Sequence, residues 1–277
     1  MIALAEPYSR YLRVLGIDHE PTGLDGLRLL VRRHLIRVPF ENVSKLLLFG
    51  REGAGRCFTL PEFLDGIEHH DLGGTCYTCN PYLAELLRTL GYHADLLGAD
   101  MTNPNVHTCI RVKGGPGLPA GAGFHIDVGF AAPFRDPVPL DSLPYTVTEG
   151  THRYVFDRHK RGIALTFQSG PDPSQSYIAH EPPRKHEDFA EIIRASFRPD
   201  AHFLNRLRIA RFFEDHSVEL LDRTMSIHRN SVTTQTEFAS VTDLEHAVRT
   251  EFAMPRCPVR EAITVLDRHT GRQLFEE

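Results

Sequence analysis

The hydrophobic period of this chain changes at Gly91, and that change constrains the fold more than any other feature. Before it, Leu24, Leu27, Val31 and Leu35 recur at three- and four-residue spacing, as do Leu83, Leu86, Leu87 and Leu90. That spacing lines one apolar stripe along a helix. Pro39 predicts the end of the first pattern, because a residue before proline is pushed out of the helical region. Gly91 is a C-terminal stop for the second. After Gly91 the sequence alternates: Thr108, Ile110 and Val112 share one side of a strand, and Phe124, Ile126 and Val128 share one side of another, expected over 124–130. Residues 113–123 between them are rich in Gly and Pro and read as a hairpin loop.

Further on, residues 131–185 hold many prolines and short β-like runs, such as 145–148 and 163–167. This is the pattern of a loop-rich β domain. Phe189, Ile192, Ile193 and Phe197 predict a helix over 186–197. Strand-like runs follow at 204–212, 218–222 and 231–238, and a last helix fits 241–252. There is no internal repeat and no low-complexity segment.

Composition excludes several classes. With 31 Lys and Arg against 36 Asp and Glu, the formal charge is −5. No basic surplus exists to neutralise phosphates, so a nucleic-acid partner is not expected. The three arginines of 206–211 alternate with Leu207 and Ile209 and read as one face of a strand. No run approaches the roughly 18 apolar residues of a membrane span. Residues 1–10 lack the basic and apolar regions of a secretory signal. Five scattered cysteines do not make a disulfide framework. The expected compartment is the cytosol, where thiols stay reduced and can act as nucleophiles. The 16 histidines are expected to be mostly surface residues, with no metal site.

The densest chemistry lies in Leu72-Gly73-Gly74-Thr75-Cys76-Tyr77-Thr78-Cys79-Asn80. Two glycines before a cysteine permit a tight turn with close backbone approach. A cysteine there can sit near free backbone N–H groups that lower its pKa and later hold an oxyanion. The alternative is a buried structural cysteine. His107 opens the first strand and Asp127 lies in the second. A hairpin folded about Gly117 sets them opposite each other, and a loop centre at 118 offsets them by two on the same face. Cys76, His107 and Asp127 then supply a nucleophile, a base and a group that orients the base, the logic of a catalytic triad.

These segments resemble the arylamine N-acetyltransferases. That family carries a Pro-Phe-Glu-Asn segment, then Arg-Gly-Gly-x-Cys-aromatic-Glu-x-Asn, then a strand histidine, then Asp-Val-Gly-Phe. Here they stand in the same order as Pro39-Phe40-Glu41-Asn42, Leu72 to Asn80, His107, and Asp127-Val128-Gly129-Phe130. The resemblance implies an α+β chain with a cysteine-protease-like triad arrangement. An N-terminal helical domain (1–90) would carry the nucleophile, a central β-barrel-like domain (91–185) His107 and Asp127, and a C-terminal α/β lid (186–277) would follow. It implies acetyl-CoA as co-substrate, no metal, a thioester on Cys76, and transfer to a small-molecule arylamine, hydrazine or hydroxylamine. Phe40 and Phe130 match positions that line the family's acceptor pocket; core packing is the alternative for both.

Three features depart from the family pattern. Leu72 replaces its Arg and Thr78 its Glu, so the field around Cys76 is expected to differ. Pro81 is costly inside a helix, about 3 kcal/mol. Asn80 as cap with Pro81 at the first helical position avoids that cost and leaves Cys76 in a turn before the helix. Two other functions stay open. One is an amide synthase of the same fold, closing a macrolactam from a carrier-bound acyl chain. The other is a redox or metal-binding protein using Cys76 and Cys79 as a Cys-x-x-Cys, although a zinc site needs about four ligands.

Overall fold

The computed structural model describes residues 4–170 and 172–276. Residues 1–3 of the expected helical domain, 171 of the β domain and 277 of the lid lie outside them. Helices α1 (Tyr8–Val14) and α2 (Gly23–Arg37) open the chain, and a two-residue strand β1 (Phe40–Glu41) follows. Then come α3 (Val43–Glu52), α4 (Leu60–His70) and α5 (Cys76–Thr89). Eight strands succeed them: β2 (Ala94–Asp100), β3 (His107–Val112), β4 (Phe124–Ile126), β5 (Val138–Pro139), β6 (Tyr145–Glu149), β7 (His152–His159), β8 (Gly162–Gln168) and β9 (Ser174–Arg184). The last part holds α6 (Ala190–Ala195), β10 (Arg208–Phe212), β11 (His216–Leu221), β12 (Thr224–Arg229), β13 (Val232–Glu237), α7 (Val241–Thr250) and α8 (Val259–Thr270).

The fold is α+β, with N-terminal helices, a nearly closed antiparallel barrel and a C-terminal sheet with helices. The barrel orders its strands β5-β4-β3-β2-β9-β8-β7-β6. The second sheet runs β1-β10-β11-β12-β13, so a strand from the N-terminal part, Phe40 opposite Ala210, edges the C-terminal sheet. Among the described residues, no helix is long and apolar enough to cross a membrane.

Alternation on β3 separates two cores. Ile110 and Val112 join Leu83, Leu87, Phe124, Ile126 and Val128 in the helical core. Cys109 points the other way, into a barrel core of Leu97, Phe134, Phe156, Leu165 and Tyr177. A third core packs Leu46 and Leu48 of α3 with Leu220, Phe252 and Leu266 from the C-terminal part. Helix α5 bridges two of these cores. Cys79 and Leu83 face the helical core, and Cys76 and Tyr77 face the third.

The expected strand at 124–130 stops at Ile126. The backbone after it bonds to side chains instead of to a neighbouring strand: Val128 N–H donates to Asn80 Oδ1 (3.0 Å) and Gly129 N–H to Asp127 Oδ1 (3.0 Å). The expected run at 204–212 becomes a short turn and then β10, with Asn205 Nδ2 capping carbonyls at Pro199 and Ala201. The helix expected at 186–197 divides into a 3₁₀ turn (His186–Phe189) and α6. Helix α8 has no counterpart in the expectations.

Candidate active site

Cys76 is the first residue of α5, after Thr75 as N-cap. The alternative start at Pro81 is not the one adopted, and Pro81 sits inside the helix. A proline there leaves the carbonyl four residues earlier without its helical donor. That carbonyl belongs to Tyr77, and it accepts instead from His186 Nε2 (2.9 Å) and Cys57 Sγ (3.0 Å). Two side chains from outside the helix thus offset the missing hydrogen bond. Among the described residues, the N–H groups of Cys76 and Tyr77 carry no intramolecular hydrogen bond, while those of Thr78 and Cys79 return to Thr75 O. Free N–H groups at a helix start favour negative charge nearby.

Gly73, before Cys76, is set by the Pro-Phe-Glu-Asn segment. A Cβ on Gly73 would lie 2.0 Å from Pro39 O, so only glycine fits. Glu41, fully buried, accepts from Gly73 N–H (3.0 Å), Ser44 N–H (2.8 Å) and Ser44 Oγ (2.7 Å). Burial raises the Glu41 pKa, and these donors oppose the rise. Asn42 donates to the carbonyls of Phe203 (2.8 Å) and Arg206 (2.7 Å), tying the segment to the C-terminal part.

His107 Nε2 lies 2.7 Å from Asp127 Oδ2, with both side chains buried. The β3–β4 pairing sets Ile110 opposite Ile126 and Arg111 opposite His125. The hairpin is therefore centred on 118, not Gly117, and the pair is a diagonal one. Asp127 Oδ1 takes Asn80 Nδ2 (3.0 Å) and Gly129 N–H. Burial alone would raise the Asp127 pKa, but His107 and Asn80 outweigh it, and the carboxylate is held below its ordinary value. Burial alone would lower His107; Asp127 first, then Cys76, push it up to about 10. With Nε2 on the carboxylate, Nδ1 is the ring nitrogen left for the thiol. Cys76 Sγ lies 4.0 Å from the carbonyl of Val106, next to His107, and Cys76 O accepts from Thr108 Oγ1 (2.8 Å).

Close approach is needed here too: a Cβ on Gly129 would lie 2.5 Å from Cys76 Cα. Phe130 sets its ring edge-on to His107, with centroids 5.7 Å apart. Phe40 packs with Leu35, Ala131, Ala210 and Phe212, and with the Phe203 ring at 5.8 Å. Cys79 is buried in the helical core and its pKa is raised by burial, so it is not poised as a thiolate. Leu72 is buried in the third core. Thr78 lines a small cavity of about 30 Å³ with Lys45, Cys57 and Ser196. Lys45 Nζ donates to Ser196 Oγ (2.6 Å) and lies 4.0 Å from the Phe197 ring centroid. Burial lowers its pKa to about 8, while Cys76 and Cys57 work the other way.

Sequence reasoning missed three residues here. Asn80 also donates to Thr108 O (2.6 Å), so one side chain ties α5, β3 and the Asp127 turn together. Its signal was its place four residues after Cys76, on the same helix face. His125 and Tyr177 form a backing layer: His125 Nε2 lies 2.8 Å from Tyr177 Oη, and the Tyr177 ring lies 5.0 Å from that of His107. Alternation already puts His125 on the face of Asp127. Nothing local marks Tyr177, which arrives from β9.

The sequence profile of the N-acetyltransferase family matches residues 23–255. The chain belongs to the arylamine N-acetyltransferase family. It is 26% identical over 258 residues to an arylamine N-acetyltransferase of Mycolicibacterium smegmatis, covering 88% of this chain and 90% of that protein. Among solved structures, the Nocardia farcinica arylamine N-acetyltransferase superposes with a TM-score of 0.79 at 22% identity, covering 96% of this chain and 95% of that one. The Mycobacterium marinum arylamine N-acetyltransferase in complex with CoA gives 0.77 at 22% identity, covering 94% and 97%. This is an arylamine N-acetyltransferase-like enzyme, and the similar structures share its fold.

Proposed function

We propose that the enzyme transfers an acetyl group from acetyl-CoA, through a thioester on Cys76, to an arylamine, hydrazine or hydroxylamine. The observation that carries this reading is the buried His107–Asp127 pair at 2.7 Å beside a cysteine at the first turn of α5. His107 takes the Cys76 proton, and Asp127 stabilises the resulting imidazolium. The thiolate attacks the acetyl carbonyl carbon. The tetrahedral oxyanion is met by the free N–H groups of Cys76 and Tyr77. Its collapse breaks the carbon–sulfur bond to CoA, and His107 returns the proton to the departing CoA sulfur.

The acceptor nitrogen then attacks the Cys76 thioester. His107 removes the proton from nitrogen, the Cys76 thiolate leaves, and an amide is released. Phe130, edge-on to His107, stands where an aromatic acceptor ring would approach the base. Steady-state kinetics with acetyl-CoA and a simple aniline test the scheme. Parallel double-reciprocal lines are expected, and intersecting lines would require both substrates to be bound at once and remove the free acetyl-enzyme.

A further inference from the structure

Three side chains far apart in sequence converge where the barrel meets the C-terminal sheet: His152 of β7, Glu219 of β11 and His228 of β12. One ligand atom from each lies within 4.8 Å of the other two. Sheet register explains two of them. Glu219 pairs with Ser226 and His228 with Ser217, so Glu219 and His228 are diagonal neighbours on one face. The β6–β7 hairpin brings the third, with the His152 and His228 ring centroids 4.5 Å apart.

The facing atoms make no hydrogen bond among the described residues. His152 makes ring contacts with Tyr154, Phe167 and His228, but neither of its nitrogens is hydrogen-bonded. His228 engages Thr233 Oγ1 through Nδ1 (2.9 Å), and its Nε2 stays 3.9 Å from Glu219 Oε1, beyond hydrogen-bond reach. Glu219 meets Arg208 through Oε2 (3.2 Å), which leaves Oε1 turned to the histidines.

We propose that His152, Glu219 and His228 form a binding site for a divalent cation of the zinc type, separate from the Cys76 site. Two imidazoles and one carboxylate are a ligand set for such an ion, with a further position for water. Tetrahedral ligands at zinc–nitrogen distance lie about 3.3 Å apart, so atoms that now lie within 4.8 Å of one another need to close by at most about 1.5 Å. Rotation of the partly exposed His152 and Glu219 side chains toward the buried His228 supplies that. Thr233 fixes the His228 ring with Nε2 toward the ion, the outer contact that orients a histidine ligand. Arg208 is the opposing charge, and it holds affinity below that of a dedicated structural site. The groove also exposes Thr151 and Ser226, so a hydrated cation has a way in. The bound ion would clamp the β6–β7 hairpin to the C-terminal sheet.

The test is zinc competition against a chromophoric chelator on the full chain carrying Cys76→Ala, so that the active-site thiol is not a ligand. One equivalent is expected to bind and to raise the melting temperature. His152→Asn and Glu219→Gln, at partly exposed positions, are each expected to weaken binding by more than about 100-fold, and Thr233→Val by about 10- to 100-fold. Circular dichroism checks that each variant is folded. Binding below one equivalent, or binding unchanged in folded His152→Asn and Glu219→Gln, would overturn the site.

Discussion

Asn80 Nδ2 lies 3.0 Å from Asp127 Oδ1, and this contact joins the helix that begins with Cys76 to the carboxylate that holds His107. The same side chain reaches Thr108 O and Val128 N–H. Asn80→Ala therefore leaves several buried polar groups unpaired, at about 1–3 kcal/mol for each. We expect a lower melting temperature and slower alkylation of Cys76 by iodoacetamide at neutral pH. Wild-type alkylation in a folded variant would mean that Asn80 supports the fold alone.

Asp127→Asn keeps the shape and removes the charge. Without the carboxylate, burial governs His107 and its pKa falls from about 10. Acetyl transfer should drop by roughly 10⁴-fold, the scale seen when a triad carboxylate is replaced. The pH profile of Cys76 alkylation should shift while the melting temperature changes little. An unmoved profile with a large loss of stability would take Asp127 out of the mechanism.

Pro81 and His186 should be energetically coupled through the Tyr77 carbonyl. With proline present, that carbonyl depends on His186 and Cys57. In Pro81→Ala the helix supplies its own donor. His186→Ala should then cost less in the Pro81→Ala background than in the wild type, by about 1 kcal/mol in a double-mutant cycle from urea unfolding. Additive effects would contradict this compensation.

Gly129→Ala would force a methyl to 2.5 Å from Cys76 Cα. The helix must move away from His107, so activity should fall by about 100-fold, as for displacements near 1 Å in other active sites. Retained activity would show that the approach is slack.

Acid should destabilise the protein through two histidines buried without charge. Burial lowers His34 to about 3, with both ring nitrogens unpartnered, and lowers His125 to about 4. The unfolded chain titrates near 6.5 and so binds more protons than the folded one below that pH. Stability is therefore lost as pH falls from about 6.5 toward 4. His107 acts with the opposite sign: its contribution is present below about 6.5 and is lost as pH rises toward 10. In urea unfolding at pH 7.5 and pH 5, His34→Phe should lose less stability on acidification than the wild type. Equal losses would exclude His34.

The sequence made the segments of this site readable because each carries a local signal. The period change at Gly91 marks the passage from helices to strands, and the spacing of 107 and 127 puts the two on one face for a hairpin centred on 117 or 118, while the register itself is fixed only by the β3–β4 pairing. Pro81 misled because intrinsic helix cost is a local quantity, whereas Cys57 and His186, which relieve it, come from elsewhere in the chain. The shortened strand after Ile126 has the same origin, since Asn80 diverts the backbone bond. Tyr177 and the His152–Glu219–His228 cluster exist only through strand order, which no local pattern encodes.

The proposed mechanism depends first on Cys76 carrying the acetyl group. Intact mass after incubation with acetyl-CoA and no acceptor, followed by peptide mapping, tests it most directly. One added acetyl group on Cys76, discharged by an arylamine, is the predicted result; acetyl on Cys79 or Cys109 with none on Cys76, or no adduct on folded enzyme, would contradict it.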